Sequence, residues 1–550
     1  MISIPLGPRP AGVADVQLSD GQLRAELRAR FGHADFRPGQ LSVLRSVLAG
    51  QPTLAIMPTG SGKSLCFQLP SLLLPGVTLV VSPLVALMKD QVDQLRLRAV
   101  PAAYVNSTQS EAERTATERG LVAGRFRLLY VAPERFRSAA FRRSLGQVQV
   151  SLVAIDEAHC VSEWGHAFRP DYERLGDAVA ELGTPRVLAL TATATRDVQH
   201  DIVRALRLRQ PNVVVTGFNR PNIHLEFHEL KSDAEKWDSI LTAVRALRPA
   251  IVYAATRRQA MTLARMLVMN DIRAAPYHAG LEAEERARTQ DAFFRGSVDV
   301  VSATNAFGLG VDKHDIRLVL HASMPRSVEA YYQEIGRAGR DGRDACAGLF
   351  FVPADLFMLR ALIYQAAPAP DLVETLFDRL SRAREPLPSS RLSGDLPGSP
   401  SGKQIHAALA FLESLGTVDR SYSAPGSALA ADGAARQLYS VMKGRPLAPE
   451  DLRRLRVRSF RDRQRLEHMI TLARRPSCRR RALLRELGEP TPETACEGCD
   501  VCTGARLSPV RSRLPGTQVR AGTTWAMSGP ASRVPSAHAG RANGPHAEPL

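Results

Sequence analysis

Residues 53–74 read TLAIMPTGSGKSLCFQLPSLLL: a short apolar run, a glycine-rich turn, then an apolar stretch of helical length. Strand, turn and helix in that order are the setting that MPTGSGKS (57–64) requires to act as a phosphate-binding loop. Gly60 and Gly62 let backbone amides curl around phosphate oxygens, and Thr59 and Ser61 complete the turn. Lys63 is placed to reach the β- and γ-phosphates of a nucleoside triphosphate, and Ser64 to ligate magnesium. Met57 stands where the generic loop begins with Gly.

A nucleotide site needs an acid to hold the metal. IDEAH (155–159) closes another apolar run, SLVAI (151–155). Asp156 would bind magnesium, and Glu157 would orient and deprotonate the attacking water. Phosphoryl transfer also needs positive charge on the γ-phosphate. YYQEIGRAGRDGR (331–343) supplies it, with Gln333, Arg337 and Arg340 read at helical spacing on one face.

The same rhythm extends in both directions. VTLVVS (77–82), RLLYVA (127–132) and RVLAL (186–190) have the length and composition of strands buried on both faces of a parallel sheet. It restarts at about 218, with AIVYAA (250–255), IRAAPYH (272–278), DVVSAT (299–304), IRLVLH (316–321) and AGLFF (347–351). Two α/β lobes with a cleft between them follow. The arginines belong to the second lobe, so they complete the site only when the lobes close.

The chain has 550 residues, 44% hydrophobic and 23% charged, which excludes a disordered or fibrous protein. No window approaches the ~18–20 apolar residues of a membrane span, and MISIPLGPRP (1–10) lacks the positive-then-apolar pattern of a signal peptide. A cytosolic protein is expected. The net charge of +17 points to nucleic acid as partner, a bias that an Arg-rich genome would also give.

Composition marks the remaining divisions. We expect an arm over 1–20, lobes over 21–216 and 217–365, and a Pro/Gly/Ser-rich linker over 366–403. The segment 404–450 reads as a winged helix or a plain helical hairpin. A basic helical module over 451–503 and a disordered tail over 504–550 follow. Residues 451–485 carry thirteen arginines against Asp451, Asp462 and Glu467. Cys478, Cys496, Cys499 and Cys502 follow C-x17-C-x2-C-x2-C, a tetrahedral ligand set for a structural zinc.

Taken together, these motifs resemble a superfamily 2 helicase, and specifically the RecQ family. FGHADFRPGQ (31–40), VVSPLVALMKDQVDQL (80–95), LLYVAPERF (128–136) and LTATAT (190–195) resemble its first-lobe motifs. FNRPNI (218–223), IVYAATRRQA (251–260), YHAGL (277–281) and SATNAFGLGVDK (302–313) resemble those of the second lobe, in the usual order. CVSEWGHAFRPDY (160–172) resembles the aromatic-rich loop of the family, and CRRRALLRELGE with CEGCDVC resembles its zinc module.

The resemblance implies two tandem RecA-like lobes, ATP, magnesium and zinc as cofactors, and DNA, both single-stranded and at duplex junctions, as partner. It implies a 3′–5′ ATP-driven helicase; an RNA-directed remodelling ATPase is the alternative. It assigns adenine recognition to Arg37 and Gln40, and ribose and finger contact to Asp312. Trp164, His166, Phe168 and Arg169 would bind unstacked bases. Ala167 stands where Asp is usual. About 110 residues separate the second lobe from the zinc cysteines, an unusual order, and no HRDC domain is recognised after them.

Overall fold

In the computed structural model the described residues are 17–507, except 84, 107–108, 163–169, 174, 184, 309–312, 367, 395, 397, 423–436, 443–444 and 492–495. Trp164, His166, Phe168, Arg169 and Asp312 therefore lie outside the described residues, as do most of the N-terminal arm and of the C-terminal tail.

The first lobe is a seven-stranded parallel sheet built from β1 (Thr53–Ile56), β2 (Val77–Val81), β3 (Ala102–Val105), β4 (Leu128–Val131), β5 (Val150–Ile155), β6 (Arg186–Thr191) and β7 (Asn212–Val215). Its order is β3-β4-β2-β5-β6-β1-β7. The strands from β1 to β6, β3 aside, are buried along almost their whole length, as their Val/Leu/Ile runs require when helices cover both faces. The order matters for the site. β6 lies between β5 and β1, with Ile155 opposite Ala189 and Ile56 opposite Thr191. Because the strands are parallel, the phosphate loop, the acidic box and LTATAT all leave the same sheet edge side by side.

The second lobe is a six-stranded parallel sheet. It contains β8 (Ile223–Glu229), β9 (Ala250–Tyr253), β10 (Ala274–Tyr277), β11 (Val300–Ala303), β12 (Leu318–His321) and β13 (Ala345–Phe351), in the order β10-β11-β9-β12-β13-β8. β8 was not among the expected strands. Its sequence, IHLEFHE, mixes polar residues into a strand that is nevertheless buried, because the cysteine module packs over it.

Two expectations fail. Residues 370–382, placed in a flexible linker, form the helix Pro370–Arg382. Leu372, Val373, Leu376 and Leu380 recur at helical spacing and fill a separate small core with Leu409, Leu412 and Leu452. The start Ala-Pro-Asp supplies a proline at the first helical turn, where it is favoured. The tail also begins later than 504: Leu507 is buried, and its amide donates to Glu226 Oε2 at 2.7 Å.

Between the lobes and the cysteine module, the helix Gly402–Leu415 ends on Gly416, whose φ of 69° closes the helix in the left-handed region. Strands β15 (Val418–Tyr422) and β16 (Gln437–Val441) then pair antiparallel, and β16 also pairs with the two-residue β14 (Leu387–Pro388). Among the described residues this segment thus holds a helix and an antiparallel strand pair, which a plain helical hairpin would lack.

Candidate nucleotide site and cysteine centre

The phosphate loop turns twice through positive φ, at Gly60 (81°) and Gly62 (76°). Space is short beside both glycines, and shortest at Gly62. A Cβ on Gly62 would lie 2.7 Å from Gln40 Nε2, and one on Gly60 would lie 3.2 Å from Arg340 Cγ. The second contact is across the lobes, so the arginine from 331–343 reaches the loop.

Lys63 donates to the carbonyls of Met57 at 3.1 Å and Pro58 at 3.3 Å. Burial pulls its pKa down; the nearby Glu157 and Asp156 carboxylates oppose that, and Arg340 reinforces it. The hydroxyls of Thr59 and Ser61 are buried with no hydrogen-bond partner. A buried donor without an acceptor costs about 1–3 kcal/mol. Phosphate oxygens would satisfy both hydroxyls and the lysine, so the residues present fit a nucleoside triphosphate.

The acid pair stands opposite. The Asp156 amide donates to Val81 at 2.8 Å, which fixes the end of β5. Glu157 sits at φ 50°, a left-handed conformation rare for a side-chain-bearing residue and common where function holds a group in place. Burial, then the neighbouring Glu157, push the Asp156 carboxyl up to about 7, against the pull of Lys63. A divalent cation would relieve that cost, so the pair fits magnesium. Burial alone would lower the His159 pKa, but Cys160 and the Glu157 carboxylate, 3.2 Å from Nδ1, raise it to about 10. His159 Nδ1 also lies 2.9 Å from Thr191 Oγ1, tying the acidic box to LTATAT.

The second-lobe groups differ from expectation in one respect. The helix Val328–Ile335 stops at Gly336, so Gln333 is helical while Arg337 and Arg340 lie in the turns that follow. The turn hydrogen bonds Arg337 N to Glu334 O and Ala338 N to Ile335 O replace helical ones, and Gly339 takes φ 55°. Gln333 Nε2 is 3.4 Å from Thr193 Oγ1, and Arg337 is buried.

Arg37 and Gln40 hold the loop itself. Gln40 is buried; its Nε2 donates to the carbonyls of Ser61 (3.0 Å) and Gly62 (2.9 Å), and its Oε1 accepts from Arg37 N (2.8 Å). Arg37 Nη1 donates to the Gly60 carbonyl. Both ends of the Gln40 amide are thus engaged by protein.

Sequence reasoning missed Arg220. Its guanidinium donates to the carbonyls of Thr59 (3.1 Å), Gly336 (3.3 Å), Ala338 (2.9 Å) and Gly339 (3.0 Å). One side chain thus joins the phosphate loop to the arginine-bearing turn. FNRPNI contains it, but nothing in that hexapeptide distinguishes a clamp from a surface arginine.

The four cysteines converge, with all four sulfurs within 4.8 Å of one another. Sulfurs sharing a tetrahedral zinc at about 2.3 Å would be about 3.8 Å apart; Cys478 to Cys496 is 3.4 Å and Cys478 to Cys499 is 4.0 Å. Hydrogen bonding with Cys496 and Cys499 pulls the Cys478 thiol pKa down, and Cys478 pushes that of Cys499 up. The donor set fits zinc. The centre is bolted to the second lobe: Leu225 bridges Cys499, Phe227 N donates to Asp500 Oδ2 at 3.2 Å, and the fully buried Arg479 pairs with Asp500 at 3.1 Å.

Comparison with known proteins agrees with this geometry. The DEAD/DEAH box helicase model matches residues 37–201, the helicase conserved C-terminal domain 235–342, and the RecQ zinc-binding model 450–503. Two such lobes facing across a phosphate loop, with these matches, define a helicase core. ATP-dependent DNA helicase RecQ of Pasteurella multocida is 43% identical over 344 residues, 62% of this chain and 54% of that protein. The probable ATP-dependent DNA helicase RecS of Bacillus subtilis is 42% identical over 367 residues, 66% of this chain and 74% of that one. The chain belongs to the RecQ family. It spans about half the length of several RecQ relatives it matches, 54% to 57%. Among solved structures, Mycobacterium smegmatis helicase Lhr bound to ssDNA and AMP-PNP shares the fold, with a TM-score of 0.52, 21% identity, and coverage of 83% of this chain and 63% of that one. Among the described residues no helix is long and apolar enough to cross a membrane.

Proposed function

We propose that the chain is an ATP-dependent DNA helicase that translocates 3′ to 5′ along one strand and acts in the cytoplasm in recombination or repair. The observation that carries this reading is the approach of Arg340 to Gly60, which brings a cation from one lobe onto the phosphate loop of the other. Direction, DNA as substrate and pathway rest on the likeness to RecQ proteins.

Each residue has a task in this reading. The loop amides, Lys63 and the Thr59 and Ser61 hydroxyls bind the phosphates. Ser64 and Asp156 would hold magnesium, which neutralises phosphate charge when bound. Glu157 orients the attacking water and takes its proton. Arg340 and Arg337 place positive charge where it grows on the γ-phosphate, and Gln333 links the finger turn to Thr193. Because these groups sit on two lobes, hydrolysis and lobe closure are coupled. We assign the lobes to 21–216 and 217–365, the winged-helix region to about 370–450 and the zinc module to 451–503, with Trp164, His166, Phe168 and Arg169 meeting the bases. Steady-state ATP hydrolysis with and without single-stranded DNA tests the reading. Stimulation of at least tenfold is expected; equal rates would overturn it.

A further inference from the structure

The helices Pro353–Ala366 and Pro449–Arg474 run side by side. Arg360 grips Glu467 through two contacts of 2.8 and 2.9 Å. Arg474 pairs with Glu229, which lies opposite Phe351 just before the first helix begins. The helices are therefore antiparallel. Their inner faces, including Leu359, Ile363, Leu466 and Met469, are buried.

Their outer faces are unusual. Phe357 is 72% exposed, Tyr364 67% and Phe460 56%. Phe357 and Tyr364 are two turns apart on one helix, about 10 Å along its axis, with Arg360 between them. On the partner helix, Arg463 is one turn before Glu467 and Phe460 about one turn before that, so both lie toward the Tyr364 end. The result is a ridge in which flat rings alternate with guanidinium groups.

We propose that this ridge is a second contact for single-stranded nucleic acid, outside the cleft between the lobes; the proposal rests on the nucleic-acid reading above. The chemistry selects the occupant. The helix 449–474 carries eight arginines against Glu450, Asp451, Asp462 and Glu467; Arg453, Arg454, Arg465 and Arg474 are ion-paired, and the exposed Arg456 and Arg463 beside Phe460 leave a surplus that suits a polyanion. Exposed rings interleaved with cations accept unpaired bases, whereas paired bases in a duplex present no free face. A protein-binding surface concentrates its rings in one desolvated core depleted of charge; here a charged pair, Arg360 and Glu467, occupies the middle.

The test uses the full chain, a labelled oligo(dT) and an abasic strand of equal length. F357A/Y364A/F460A is expected to bind oligo(dT) at least tenfold more weakly, and the abasic strand as wild type does. F357Y/F460Y, which keeps the rings, should bind oligo(dT) normally. Zinc content and the thermal midpoint verify folding. Unchanged oligo(dT) affinity, or an equal loss on the abasic strand, overturns the ridge alone; unchanged affinity would leave the face to a protein partner. If strand DNA does not stimulate hydrolysis by the wild type, the nucleic-acid reading falls and takes the ridge with it.

Discussion

Arg480 of the cysteine module donates to the carbonyl oxygen of Arg220 at 2.6 Å, and Arg220 in turn donates to the carbonyl of Thr59 in the phosphate loop at 3.1 Å. Arg480 also holds Asn219 Oδ1 at 3.1 Å and the Ile223 carbonyl at 2.5 Å. Glu489 accepts from the Phe218 amide. The segment joining the lobes is thus gripped on one side by the cysteine module and grips the nucleotide site on the other.

This chain of contacts makes Arg480 a positioning residue for hydrolysis. Hydrogen bonds to a charged group contribute about 1.5–3 kcal/mol each. Arg480→Gln is expected to lower kcat for ATP about tenfold or more, with a smaller change in KM and with zinc content unchanged. Stopped assays with metal analysis check this; an unchanged kcat would show that the grip is mechanical only.

Arg220→Ala should be more damaging still, because it frees Thr59 from the turn holding Gly336, Ala338 and Gly339. A fall of about a hundredfold in kcat is expected, measured at saturating ATP. A loss visible only in KM would mean that Arg220 serves nucleotide binding rather than lobe alignment.

Gln40 separates two roles. Its amide is committed to the loop carbonyls and to Arg37 N. Gln40→Ala should therefore raise KM for ATP and GTP alike, by about tenfold. A loss confined to ATP would return adenine recognition to this residue, as the family resemblance implies.

Removal of the cysteine centre should propagate into the second lobe. Cys499→Ser eliminates a ligand at the bridge to Leu225, and the buried Arg479–Asp500 pair beside it depends on the same fold. Loss of one equivalent of zinc and of several kcal/mol of stability is expected, read by metal analysis and thermal unfolding. Wild-type zinc content in the variant would remove the metal assignment.

The sequence carried local chemistry well and long-range contact poorly. Lys63 was legible because its loop follows β1, and Asp156 and Glu157 because they follow β5; the parallel sheet then sets both strands beside β6. The cysteine set was legible because three of its four members lie within seven residues of one another. Arg220 and Arg480 were not, since Arg220 meets backbone carbonyls over a hundred residues away and Arg480 reaches the carbonyls of Arg220 and Ile223 from as far, contacts that leave no mark on sequence. The helix Pro370–Arg382 was hidden by the Pro- and Ser-rich composition after it. Arg337 and Arg340 looked helical from spacing, but Gly336 and Gly339 break the helix between Gln333 and Arg340.

Coupling of ATP hydrolysis to directional unwinding is tested by strand separation with ATP and magnesium on two matched duplexes, one with a 3′ tail and one with a 5′ tail, using wild type and Lys63→Ala. Unwinding from the 3′ tail alone is expected, abolished in the variant although DNA binding persists. Unwinding from the 5′ tail, or strand separation by the Lys63→Ala protein, would contradict that coupling.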